Sequence, residues 1–152
     1  MKAPADTLDR LAGLAGIEES YWDIFGGLHE TTTKAKLSIL SAMGFGVGSK
    51  NAIAQALKEL EDGPWRKILD PVYVVRLNEG HITVRVSLPE RLIGKAIEWK
   101  VDLEDGGQVS GSFTPSNGEL TERRNIDSET FARFKLPLAG AIGEGYHHLE
   151  AR

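Results

Sequence analysis

The chain has 152 residues, 18 of them basic and 22 acidic, and a formal net charge of −4. This length suits one ordinary domain or two small ones, and the acidic balance leaves no basic face for nucleic acid. The absence of cysteine excludes disulfides, thiol catalysis and the usual zinc sites, and it is compatible with a cytoplasmic location. No signal-peptide pattern and no apolar stretch of membrane-spanning length is present, so no membrane partner is expected.

Short helices are predicted for the first part of the chain, where apolar residues recur every three or four positions. A first helix is expected within residues 6–16. Among three consecutive threonines, Thr32 is the favoured cap of a second helix, which ends at Gly44. Ser49 is expected to cap a third helix. The pattern predicts a helical domain of about three to five short helices over residues 1–69.

An aromatic segment, Tyr21-Trp22-Asp23-Ile24-Phe25-Gly26, lies between the first two predicted helices. Its apolar residues are too numerous for an ordinary surface loop, and their spacing is interpreted as one helical turn with Tyr21 over Ile24 and Phe25. Gly26-Gly27 would end the turn, and a polar loop through His29 would follow. Two interpretations of Trp22 stay open: a core residue, or an exposed platform for a sugar or a partner.

From Pro71 onward the apolar period changes from helical to two, the pattern of strands with one buried face. Turn signals recur at sandwich spacing, so about seven short strands are expected in residues 70–152. The predicted fold class is therefore α+β with segregated parts: a small helical domain followed by an immunoglobulin-like antiparallel β-sandwich. The strands are predicted at residues 72–77, 82–88, 97–103, 109–113, 119–126, 131–136 and 146–151.

Aromatic residues of the predicted sandwich have expected structural roles. Trp99 alternates in phase with Ile97 and Val101, which predicts that it lies in the core, as the tryptophan of immunoglobulin-like sandwiches does. Tyr146 begins a strand after a long loop, where a tyrosine hydroxyl can hold upstream backbone as a corner. Trp65 is expected at the junction of the two halves.

The sequence contains no convincing catalytic, cofactor or metal site. His147 and His148 are adjacent on a strand and would point to opposite faces, so they cannot share a metal ion. Asp102 and Glu104 lie two residues apart on one strand face, about 6.5–7 Å between their Cα atoms. That separation is near the one found in inverting glycosidases, but both carboxylates would approach a substrate from the same side. A solvated strand face is the favoured interpretation.

The aromatic segment also carries a family resemblance. Together with His29 and the helix ending Leu40-Ser41-Ala42-Met43-Gly44-Phe45, it closely resembles the N-terminal extension of the longer bacterial 4-alpha-glucanotransferases, the amylomaltases. The family's Asn-Arg-His after the aromatic turn is replaced here by Gly27-Leu28-His29. Further similarity is found in Leu8-Asp9-Arg10-Leu11-Ala12, Gly16-Ile17, Pro64-Trp65-Arg66, Leu136-Pro137-Leu138, Gly145-Tyr146-His147 and Leu149.

The resemblance implies a parent enzyme that transfers segments of alpha-1,4-glucan between maltodextrins. In that family a (β/α)8 barrel carries a carboxylate nucleophile and an acid/base carboxylate in a retaining mechanism. No motif of that barrel occurs in this sequence, so no catalytic residue carries over. We expect an N-terminal region that is inactive alone, whose partner is the missing C-terminal catalytic barrel, with alpha-1,4-glucan as a second candidate ligand.

Four residues are candidate contacts to glucan or to another domain: Tyr21, Trp22, His29 and Trp65. The alternative function is a structural or protein-interaction module that touches no sugar. The two hypotheses differ in whether maltodextrin perturbs the tryptophan side chains.

Overall fold

The computed structural model describes residues 7–77, 82–140 and 142–152. The chain divides into two compact units, the first ending at Gly63 and the second beginning at Pro64. No helix in the described ranges is both long enough and apolar enough to cross a membrane.

The first unit contains three α-helices, α1 (Thr7–Leu14), α2 (Thr33–Ala42) and α3 (Lys50–Asp62). Their apolar stripes meet in a small core, because each helix has apolar residues at helical spacing on one face. The core consists of Leu8, Leu11, Ala12, Leu40 and Ala56.

The ends of α2 and α3 follow the predicted capping chemistry. The hydroxyl of Thr32 accepts a hydrogen bond from the Ala35 N–H at 3.2 Å, and Ser49 caps α3 in the same way. Gly44 adopts the left-handed conformation, with φ of +89°, and the Phe45 N–H returns to the Leu40 carbonyl at 3.0 Å. These predictions are confirmed.

The aromatic segment is a β-hairpin, so the predicted helical turn is wrong. Strand β1 (Ser20–Trp22) pairs antiparallel with β2 (Leu28–Glu30). The reason is the loop between them: the Asp23 carboxylate accepts hydrogen bonds from the N–H groups of Phe25 and Gly27, each at 2.8 Å. Gly26 takes φ of +79°. The Asp23 N–H also donates to the Gly27 carbonyl at 2.9 Å, so residues 24–26 form a three-residue connection. A left-handed glycine at the last position is typical of such a connection, which overrides the helical spacing.

The second unit is a β-sandwich, as predicted. Its six described strands are β3 (Ile82–Pro89), β4 (Ile97–Asp102), β5 (Gln108–Phe113), β6 (Leu120–Ile126), β7 (Glu129–Leu138) and β8 (His148–Ala151). They form two antiparallel sheets, in the orders β3-β7-β6 and β5-β4-β8. Both sheets contribute alternate side chains to one core, as sandwich strands do. The buried members of this core are Val84, Val86, Leu88, Ile97, Trp99, Val101, Ala132, Phe134, Leu136, Leu138 and Ile142.

Trp99 lies in this core, as predicted, with 4% of its surface exposed. It pairs across the sheet with Gly111, and its indole lies over that glycine. A Cβ atom at position 111 would stand 2.5 Å from Trp99 Cζ2. The glycine is therefore required by the close approach of the ring.

The predicted strand at 72–77 is absent: those residues have no regular secondary structure, and an isolated bridge joins Leu69 to Val86 instead. The Tyr73 hydroxyl accepts a hydrogen bond from the Asp70 N–H and donates one to the Arg85 carbonyl. A side chain, and not a strand, therefore occupies this part of the β3 edge. Val74 is 96% exposed. Its β-branched neighbours predicted a strand, but they have no sheet to pack against. The connection to the next predicted strand, residues 78–81, lies outside the described residues.

The predicted Tyr146 corner is also wrong. The Tyr146 side chain is 91% exposed, and its backbone N–H donates to Glu104 Oε2 at 3.0 Å. Gly145 before it has φ of +146°, a conformation that favours glycine. The tyrosine hydroxyl that holds upstream and downstream backbone is that of Tyr73.

Candidate functional site

The β1–β2 hairpin, residues 20–30, exposes most of its apolar side chains and is called the aromatic hairpin below. The exposed fractions are 59% for Tyr21, 70% for Trp22, 93% for Ile24, 90% for Phe25 and 53% for Leu28. Apolar groups clustered in this way on a surface mark contact sites more often than isolated ones do. The open choice for Trp22 is thus decided: it is exposed, not in the core.

The hairpin register separates Tyr21 from Trp22. Tyr21 pairs with His29, and Trp22 pairs with Leu28. Successive side chains of a strand point to opposite faces, so these two pairs lie on opposite sides of the hairpin. The predicted stacking of Tyr21 over Ile24 and Phe25 is therefore wrong. The hairpin offers a Tyr21–His29 face and a Trp22–Leu28 face.

The Tyr21–His29 face is fixed by ring and hydrogen-bond contacts. The two rings stack with centroids 5.3 Å apart and an angle of 21° between their planes. His29 Nε2 lies 2.7 Å from Asp23 Oδ2. This bond to His29, followed by the N–H of Gly27, lowers the pKa of Asp23 from its ordinary value. One carboxylate therefore holds both the loop and the histidine in place.

Trp65 is not part of the exposed set. Only 6% of its surface is accessible, and it forms a small buried cluster with Ile126 and Phe131. The guanidinium carbon of Arg133 lies 3.7 Å from the Trp65 ring centroid, in a cation–π contact. Sequence patterns gave no signal for this contact, because Trp65 and Arg133 lie far apart in the sequence.

Different groups hold the carboxylates of Asp102 and Glu104. Asp102 bonds to Gln108 Nε2 at 2.8 Å and to Lys100 Nζ at 3.0 Å, and these partners lower its pKa. Glu104 instead accepts from the Tyr146 N–H. The two carboxylates have different partners, which agrees with a solvated strand face.

An open groove of about 900 Å3 lies over the sheet β5-β4-β8. The charges along it are largely matched: Arg152 pairs with Glu98 at 3.1 Å, and Lys100 lies 3.5 Å from Glu150. Its tryptophan, Trp99, is buried in the core. The groove therefore offers hydroxyl, amide and paired charged groups, but no aromatic platform.

Backbone groups hold the ring of His147. His147 Nδ1 accepts from the Glu104 N–H at 3.2 Å, and its Nε2 lies 3.1 Å from the Gly143 carbonyl. Both ring nitrogens are therefore engaged with backbone. Across the part of the chain that the structure describes, no group of three or more potential metal ligands comes together.

A comparison with protein families identifies the family of the β-sandwich. Residues 68–152 match the family model described as the MalQ N-terminal beta sandwich domain. The chain belongs to this family. The resemblance to the N-terminal region of amylomaltases is thereby confirmed. The matched segment of this MalQ-family chain begins after the aromatic hairpin, so the hairpin's role does not follow from the family model.

A solved structure is similar over nearly the whole MalQ-family chain. It is the amylomaltase from Corynebacterium glutamicum, with a TM-score of 0.67 and 24% sequence identity. The likeness covers 96% of this chain and 20% of that one, so the chain spans about a fifth of the amylomaltase's length. At this identity the likeness shows a shared fold. No curated protein sequence matches the chain.

Proposed function

We propose that this chain is the non-catalytic N-terminal region of a cytoplasmic 4-alpha-glucanotransferase. In this proposal, a helical domain over residues 1–69 precedes an immunoglobulin-like sandwich over residues 70–152, and the region packs on a catalytic barrel. Membership of the MalQ N-terminal family supports the non-catalytic role. The fold shared with an amylomaltase five times as long supports a barrel as the partner.

We further propose that the aromatic hairpin presents alpha-1,4-glucan to that barrel. The observation that carries this step is the 70% exposure of Trp22 on a hairpin whose loop is held by Asp23. Aromatic faces bury the apolar C–H face of a sugar ring while its hydroxyls stay in water. A side chain held by a preformed loop loses little conformational freedom when the ligand binds.

Calorimetric titration with maltoheptaose tests the glucan contact. We expect weak binding by the unaltered chain and at least about tenfold weaker binding by Trp22→Ala, because the stacking surface is removed. Tyr146→Ala is the matched control, since Tyr146 is an exposed aromatic residue outside the hairpin. Equal loss in both variants, or no heat from the unaltered chain, would contradict the glucan contact.

A structural module without sugar contact is the second candidate function. The observation in its favour is the tip of the hairpin, where Ile24 and Phe25 are almost fully exposed but offer no hydrogen-bonding side-chain groups. Such residues suit a dry protein contact better than a polyhydroxylated ligand. In this case Phe25→Ser weakens binding to a separately purified catalytic barrel of the parent enzyme, while maltoheptaose has no effect on either protein.

A further inference from the structure

We propose that strand β5 pairs with the β5 strand of a second copy of this chain, joining two β5-β4-β8 sheets across a twofold axis. Strand β5 lies at the edge of its sheet. None of the described residues pairs with its outer side. An edge of this kind presents unpaired N–H and C=O groups to any extended strand that approaches.

The register identifies which backbone groups are available. In the β4–β5 hairpin the Leu103 N–H donates to the Gly107 carbonyl at 2.8 Å, so these two residues form a hydrogen-bonded pair. Every second pair from there, such as Val101 with Val109, likewise points its backbone groups toward the other strand. Consistently, Glu98 exchanges both backbone bonds with Arg152 on the β8 side. The groups that point away from β4 are therefore those of Gln108, Ser110 and Ser112.

Strand β5 lacks the usual protection of an edge. It contains no charged residue and no proline, and its pairing with β4 runs without a bulge. Native edge strands are blunted by such features. Two other edges of the sandwich differ: β6 contains Glu122, Arg123 and Arg124, and β8 contains His148 and Glu150.

The remaining edge of the sandwich, that of β3, is already occupied. The Ser87 N–H donates to the Ile68 carbonyl at 3.0 Å, and the Tyr73 hydroxyl binds the Arg85 carbonyl. Among the four edges of the two sandwich sheets, β5 is thus the uncharged one that keeps its backbone groups available.

The strand is complementary to itself, which is why we assign a second copy as the occupant. In an antiparallel pair centred on Ser110, Gln108 faces Ser112 of the other copy, and each outward N–H meets a carbonyl. On the inner face Val109 is opposite Gly111, and Phe113 is opposite Gly107, so large side chains meet glycines. No pair places like charges together, as self-pairing of β6 would.

Sedimentation velocity of the full chain over a range of concentrations tests the proposal. We expect a concentration-dependent monomer–dimer equilibrium. Ser110→Pro removes an N–H group that points away from β4, so the fold is kept while the dimer contact is lost. Ser110→Lys places two positive charges opposite each other at the axis and is expected to raise the dissociation constant by about tenfold or more.

Matched variants separate this contact from others. Ser38→Lys adds the same charge to an exposed position of helix α2 and is expected to leave the dimer unchanged. Trp22→Ser removes the main exposed aromatic of the hairpin and is also expected to leave it unchanged. Circular dichroism of each variant checks that the sandwich remains folded.

Amide hydrogen exchange gives a direct readout. The N–H groups of Ser110 and Ser112 should exchange quickly at low protein concentration and slowly at high concentration. A chain that is monomeric at all accessible concentrations would overturn the proposal. So would a dimer that survives both Ser110 variants, or one that is lost in Trp22→Ser.

Discussion

Strand β4 buries its apolar side chains, whereas the aromatic hairpin exposes comparable ones. In β4, Ile97, Trp99 and Val101 are at most 4% exposed, with polar residues between them. In the hairpin, consecutive apolar residues are mostly exposed, and Trp22 is 70% exposed. Burial makes the first set a determinant of stability, since each buried side chain removes apolar surface from water. The second set stabilises the fold little and is available for contacts.

The largest effect we expect is from Trp99→Ala. Removing a fully buried indole should lower the free energy of unfolding by about 3–5 kcal/mol. Urea denaturation followed by circular dichroism measures the loss. The paired variant is Trp22→Ala, which should change stability by no more than about 0.5 kcal/mol, because Trp22 is mainly in water. Similar losses in both variants would remove the distinction between the two regions.

Gly111→Val tests how tightly the sandwich core is packed. A Cβ atom would stand 2.5 Å from Trp99 Cζ2, so the indole or the strand must shift. We expect a loss of about 1–3 kcal/mol, as for other overpacked cores. The matched control is Ser110→Val, which adds a β-branched residue to the exposed outer face of β5. A neutral result for Gly111→Val would show that the ring has space to move.

A smaller effect is expected at the hairpin loop when pH is lowered. In the folded hairpin, hydrogen bonds with His29 and with the Gly27 N–H favour the carboxylate form of Asp23. These bonds lower the pKa of Asp23 below its ordinary value of 3.8. The stabilisation is present above the unfolded-state pKa and is lost as pH falls through the lower folded-state pKa. Amide shifts of Phe25 and Gly27 should report this transition at acidic pH, while amides of β4 remain unchanged.

Asp23→Asn provides the comparison for that titration. An amide oxygen still accepts from the backbone, but the negative charge in contact with His29 Nε2 is removed. The acidic transition of the loop amides should then disappear, and the stacking of Tyr21 on His29 should loosen. A transition of the same midpoint in this variant would mean that another group is responsible.

The sequence predicted the regular elements well where local chemistry decides them. Thr32, Ser49 and Gly44 mark helix ends by side-chain acceptors or by a left-handed glycine, and the alternation in β4 shows its buried face. The hairpin was missed because its strands have three residues each and no polar alternation. A usable signal was present: an aspartate followed by a glycine three residues later is typical of a hairpin loop.

Burial that depends on distant residues was harder to predict. Trp65 is covered by Ile126, Phe131 and Arg133, which are separated from it by more than sixty positions in the sequence. The exposed face of Trp22 depends in the same way on the absence of any nearby partner in the described structure. Periodicity within one segment contains no information on such pairings.

We expect glucan to contact the aromatic hairpin and not the buried tryptophans of the second unit. The most direct measurement is the NMR spectrum of the three indole N–H groups during titration with maltoheptaose. Trp65 and Trp99 are buried and act as internal controls within the same molecule. We expect the Trp22 signal to shift and the other two to stay in place. No movement of Trp22 at millimolar sugar, or equal movement of all three signals, would contradict this expectation.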